Sequence, residues 1–191
     1  DTAVSEGGTN ARLLLLVARE AIALGHLARG AQAATAALLL APHLAEGRRV
    51  LGEIHVRRRD GLRALDVLGT LPPTDVESRP WVARALLLVG QLEDAARTRA
   101  TELVGQLAES TEPSDRAIGL RLRVAVDPST ASAALTEAKT LARSAPGVPD
   151  VMRAVADIAL TTGDTTTATD AARRLVTAEP RSIDAALLLG R

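Results

Sequence analysis

The chain contains no phenylalanine, tyrosine or cysteine, and only one tryptophan (Trp81), one methionine (Met152) and one lysine (Lys139) among 191 residues. Without cysteine there is no disulfide framework and no thiolate metal site, although this does not choose a compartment. The near absence of aromatics removes the residues that favour strands, so a core can be built only from Ala, Leu, Val and Ile. Charge of one sign is also missing: 23 basic and 23 acidic residues cancel, which gives no electrostatic case for nucleic acid or an anionic membrane. No apolar run approaches the roughly 18 residues that read as a membrane span. The longest stretches, 13–18 and 36–42, are short and flanked by Arg or Thr. The chain starts at Asp1 without a signal-peptide pattern, and is expected to be processed or cut from a longer protein.

Ala and Leu head the helix-propensity ranking, and apolar residues make up 47% of the chain, so the composition reads as all-α. The Ala, Arg and Leu richness with almost no Lys fits a GC-rich bacterial genome.

Punctuation recurs along the sequence. Gly25 precedes Pro42 by seventeen residues, and Gly163 precedes Pro180 by seventeen, each across an Ala-rich stretch. A small residue follows five places after each turn: Gly30 after Gly25, Ala64 after Arg59, Ala95 after Gly90, Ala168 after Gly163. Hairpins starting near Ala11, Ala45, Val76, Asp115, Pro149 and Ile183 give three intervals of 34 residues, one shorter and one longer. The short interval contains Leu71-Pro72-Pro73 and the long one Ser110-Thr111-Glu112-Pro113-Ser114, where prolines and polar residues break helices. First helices are expected over 11–24, 45–58, 78–89, 114–126, 149–161 and from 182. Second helices are expected over 27–41, 61–71, 92–109, 130–144 and 165–178. Ser78, Ser114, Asp164 and Ser182 suit N-caps, and Gly25, Gly90 and Gly163 suit the left-handed position after a helix.

This pattern resembles the tetratricopeptide repeat family, whose unit is a 34-residue helix–turn–helix with small residues at the crossings and proline after the second helix. The resemblance rests on Gly25, Gly30, Ala37 and Pro42; Leu51, Gly52 and Ala64; Gly90 and Ala95; Val155, Ala156, Gly163, Ala168 and Pro180; and Leu189-Gly190. It departs from the family in its lack of bulky aromatics and at Asp127-Pro128, where a glycine turn is expected. The resemblance implies a right-handed superhelical solenoid of about five repeats and a partial sixth over 11–191, after an extension at 1–10. The last unit stops halfway, at Arg191.

Catalytic constellations are not legible. His26, His43 and His55 lack the spacing of helical metal ligands, and no phosphate-loop or nucleophile-elbow motif occurs. The reading is therefore non-enzymatic, with no cofactor and no metal. In the family the first helices line a concave groove that takes peptides or partner helices. On that register the groove carries Arg12, Leu15 and Arg19; Arg49, Glu53 and Arg57; Arg84 and Leu87; Arg116 and Arg123; and Arg153 with Asp157. Arginine dominates, and its planar fork suits an acidic segment. The same charges, at i,i+4 spacing, also suit mutual pairing on a solvated face. Trp81 is read as core packing ahead of ligand contact. The expected function is a protein-interaction scaffold for another protein or peptide. Two alternatives stay open: a regulatory or targeting domain of a larger enzyme or transcription regulator, and a self-associating solenoid forming a homo-oligomer. No nucleic acid or membrane insertion is expected. The compartment stays open between cytoplasm, which is favoured, and periplasm.

Overall fold

Among the described residues three adopt positive φ, Gly25 (73°), Arg59 (61°) and Gly163 (77°), and each ends the first helix of a hairpin. The local bonding is the same at all three. His26, Asp60 and Asp164 donate their N–H to Ala21, His55 and Ala159, while Gly25, Arg59 and Gly163 donate to Ile22, Val56 and Leu160. This is the Schellman arrangement, in which one left-handed residue lets two otherwise unpaired carbonyls find donors. Glycine reaches that region without steric cost; Arg59 does not.

A computed structural model describes residues 2–72, 74–90, 94–180 and 182–190. Among these residues the chain is helical, with no strand. The helices are α1 (Thr2–Ala23), α2 (Leu27–Leu40), α3 (Ala45–Arg57), α4 (Gly61–Leu68), α5 (Arg79–Val89), α6 (Asp94–Ala108), α7 (Pro113–Val126), α8 (Ala131–Ser144), α9 (Pro149–Thr162), α10 (Thr165–Ala178) and α11 (Ile183–Leu189). Short 3₁₀ turns at Val76–Ser78 and Pro128–Thr130 precede α5 and α8. No described helix is long and apolar enough to cross a membrane.

Most helix ends lie within one or two residues of the expected positions. The exceptions have local causes. Helix α1 begins at Thr2, so most of the extension at 1–10 is helical. Helix α4 stops at Leu68, short of the expected residue 71, and Leu71 is still buried. The expected start of α6 at residue 92, Pro73 and the chain end at Arg191 lie outside the described residues.

Of the expected N-caps, Asp164 accepts from the Thr167 N–H and Ser182 from the Ala185 N–H. Asp60 does the same for Arg63. Ser78 and Ser114 do not cap. Ser78 has helical backbone, and its hydroxyl donates to the Asp75 carbonyl at 2.8 Å. Pro113, preorganised for a first helical position, starts α7 one residue before Ser114. Gly90 is likewise not left-handed (φ −63°). Its role is close approach: a Cβ there would sit 3.0 Å from the Arg97 backbone, and Arg97 Nε donates to the Gly90 carbonyl at 3.1 Å. Ala96 rather than Ala95 is the buried small residue of that hairpin, one place out of register.

The chain divides into two compact units, 1–98 and 99–191. In the first, α1 packs on α2, α2 on α3, α3 on α4 and α4 on α5, while α1 also touches α3 and α3 touches α5. Its core gathers Leu15, Ala18, Ile22, Ala34, Val50 and Ile54. Gly30 is the crossing point: a Cβ there would meet the Ala18 carbonyl at 3.3 Å and Ile54 at 3.4 Å. In the second unit α7 packs on α8, α8 on α9, α9 on α10 and α10 on α11, with further contacts of α7 to α9 and α9 to α11. Leu120, Val151, Ile158 and Leu175 are its largest wholly buried side chains, set among alanines with no exposed surface. The small alanine side chain costs little conformational entropy in a helix and lets neighbouring backbones come close, so an aromatic-free core still fills.

Candidate functional site

The three positive-φ corners provide a common ruler. Thirteen residues before them stand Arg12, Glu46 and Asp150, and six before them stand Arg19, Glu53 and Asp157. Arg116 and Arg123 lie 34 residues before Asp150 and Asp157. In each unit, therefore, one first helix carries a basic pair two turns apart, and a later first helix carries an acidic pair at the same positions. Ten residues before the second and third corners stand Arg49 and Arg153.

Packing of first helix on first helix brings these charges into reach. In the first unit Arg19 of α1 donates through Nε and Nη2 to Glu46 Oε1 of α3, at 3.2 and 3.0 Å. Arg49 of α3 reaches Asp75 at 2.8 Å and Glu77 at 2.6 Å, just before α5. Glu53 is held by Arg57 one turn on, at 2.9 Å. Arg84 stacks over Trp81, its guanidinium carbon 4.6 Å from the ring centroid, so the tryptophan supports a cation. Arg12 is exposed and makes no ion pair among the described residues.

In the second unit Arg123 donates to Glu137 Oε1 of α8 at 2.6 Å, and Arg116 lies 3.8 Å from Glu137 Oε2. Arg121 pairs with Asp157, and Ser114 donates to Asp150, both joining α7 to α9. Arg153 donates to Glu179 Oε2 at 2.8 Å. Asp157 is thus engaged across helices, by Arg121 of α7. The Nε–H groups of Arg116, Arg121 and Arg123 are shielded from solvent without an acceptor, as is Asp75 Oδ2 without a donor.

Arg19, Arg49, Glu53 and Arg153 meet counter-ions of this same chain, and Arg116 and Arg123 converge on one carboxylate. Leu15, expected on the groove, is buried in the core at 1% exposure. The residues missed from the sequence are the partners: Glu46, Asp75, Glu77, Arg121, Glu137 and Glu179. A signal for two of them was present, because Asp75 follows Arg49 and Glu179 follows Arg153 by the same 26 residues.

Histidines are dispersed. His26 and His43 are exposed, and His55 is partly buried on α3. Burial is the main cause that pushes the His55 imidazole below its ordinary pKa, outweighing the raising effect of Asp60. Among the described residues no group of three His, Cys, Asp or Glu side chains is placed to hold a metal ion. Asp164 is the most perturbed carboxyl: the Thr167 hydroxyl, then Lys139, hold it well below the usual range, at about 2. Its partners make it a helix cap tied to α8, which is structural chemistry. Compared with models of known protein families and with curated proteins, the chain matches none.

Proposed function

We propose that this chain is a tetratricopeptide-like module, a right-handed superhelical solenoid of antiparallel hairpins, that binds a peptide or partner segment along an Arg-rich face of its first helices. Three corners of identical bonding and the packing of successive first helices within each unit support the repeat reading. The observation that carries the binding reading is the excess of guanidinium at one place: Arg116 and Arg123 share the single carboxylate of Glu137. Two planar forks over one acid leave donor capacity for a second carboxylate, and a Glu- or Asp-bearing segment fits it. The ligand is a competitor for an existing ion pair, which makes binding salt-sensitive and modest in affinity.

The test is charge reversal. Arg123→Glu and Arg84→Glu, made separately in the full chain, are titrated with a synthetic peptide rich in glutamate. Arg123→Glu is expected to weaken binding about tenfold while helical content by circular dichroism stays unchanged. Unchanged affinity for both variants would sink the groove assignment.

A further inference from the structure

Helix α1 exposes three large aliphatic side chains on one face, Leu13 (56%), Leu16 (63%) and Val17 (43%), and Leu24 (39%) follows in the turn just after it. The three recur at i, i+3 and i+4, the spacing of a single helical stripe. Their positions relative to the corner residue have known surroundings elsewhere in the chain. Leu13, Leu16 and Val17 correspond to Gly47, Val50 and Leu51 of α3, and to Val151, Ala154 and Val155 of α9. Gly47 is covered by Leu38 of α2 and Leu15 of α1, the hairpin before it. Val151, Ala154 and Val155 are buried in the core that includes Leu120 and Leu135 of α7 and α8. At Gly47, the equivalent of Leu13, the cover comes from the preceding helical hairpin.

The charges say what kind of helix fits on α1. On α3 and α9 the covered edge bears acids, Glu46 and Asp150, and the preceding hairpin supplies donors, Arg19 and Ser114. At the same place α1 bears the exposed Arg12. The sign is inverted. Within the stripe, Glu20 stands where α3 and α9 have the buried Ile54 and Ile158. We infer that the outward face of α1 is a docking surface for an amphipathic partner helix that carries a carboxylate opposite Arg12 and a basic side chain opposite Glu20. This surface is separate from the Arg116–Arg123 site and does not depend on it.

The probe is a stapled helical peptide of about 18 residues, with a leucine stripe, one glutamate on its edge and one lysine within the stripe. Titrated into the 191-residue chain, it is expected to bind. Leu16→Gln and Leu13→Gln are expected to weaken binding about tenfold or more each, since each removes buried apolar area. Leu39→Gln, an exposed leucine on α2, is the control and should leave affinity unchanged. A peptide with the charges exchanged should bind about tenfold more weakly. Equal binding by the Leu16→Gln chain would overturn the proposal. So would concentration-dependent dimerisation in sedimentation that Leu16→Gln abolishes, which assigns the face to a second copy. Leu16-dependent recruitment to phosphatidylserine vesicles without peptide binding would overturn it in favour of a lipid surface.

Discussion

Glu137 accepts from Arg123 through one carboxylate oxygen at 2.6 Å and faces Arg116 through the other at 3.8 Å. One acid on α8 therefore occupies two guanidiniums on α7 that an external carboxylate would need. Removing its charge by Glu137→Gln is expected to strengthen binding of an acidic peptide several-fold, measured by titration calorimetry at low salt. The cost to folding is small, within about 1 kcal/mol, because all three side chains are about a third exposed or more. Weaker binding by the variant would mean that Glu137 orients the arginines for the ligand rather than competing with it.

Arg59 holds the left-handed backbone that glycine holds at the two equivalent corners. Arg59→Gly removes the clash between Cβ and the following carbonyl, and is expected to raise stability by about 1 kcal/mol in urea denaturation. The same exchange in reverse, Gly163→Arg, should lower stability by a similar amount.

Two glycines inside helices should respond oppositely to one added methyl. A Cβ on Gly119 would collide with Ala108 N and stand 2.5 and 2.7 Å from Leu107 C and Ala108 Cα, all of it backbone that cannot step aside. Gly119→Ala is expected to destabilise the chain by about 3 kcal/mol or more. Gly105, within α6, has open space around its Cβ direction. Gly105→Ala should stabilise by roughly 0.5–1 kcal/mol through helix propensity alone. Thermal unfolding of the two variants beside the parent checks both signs.

The acid limb of stability should carry the signature of Asp164. Its carboxyl is depressed to about 2, chiefly by the Thr167 hydroxyl and then by Lys139. A carboxyl with a lower pKa in the folded chain than in the unfolded one stabilises the fold above the unfolded value. That contribution fades as pH falls through the folded value. Asp164→Asn is therefore expected to flatten the loss of stability between about pH 4 and pH 2. An unaltered acid limb, followed by circular dichroism, would show that this cap bond does not persist in solution.

Much of the helical layout was legible because prolines, glycines and caps act locally. Gly25, Asp164 and Gly163 do in the structure what their chemistry requires in any chain. The misreadings come from contacts that only the folded packing reveals. Gly90 looked like a corner residue, but is glycine because the Arg97 backbone presses on it. Ser78 and Ser114 have the oxygen of a cap, yet spend it on the Asp75 carbonyl and on Asp150. The i,i+4 partner of Arg57, Glu53, was legible, whereas Arg49 and Asp75 lie 26 residues apart and packing brings them together. Arg59 in the left-handed region ran against its own propensity, and what pointed to it was the small Ala64 five places on.

Trp81 lies in the first unit, and no tyrosine or second tryptophan exists anywhere in the chain. Ultraviolet emission is therefore a private reporter of that half, quenched or shifted by whatever happens beside Arg84. Far-ultraviolet dichroism sums both halves. If the two signals melt at different temperatures, the units unfold in separate steps, and the dark half can be followed by difference without any label.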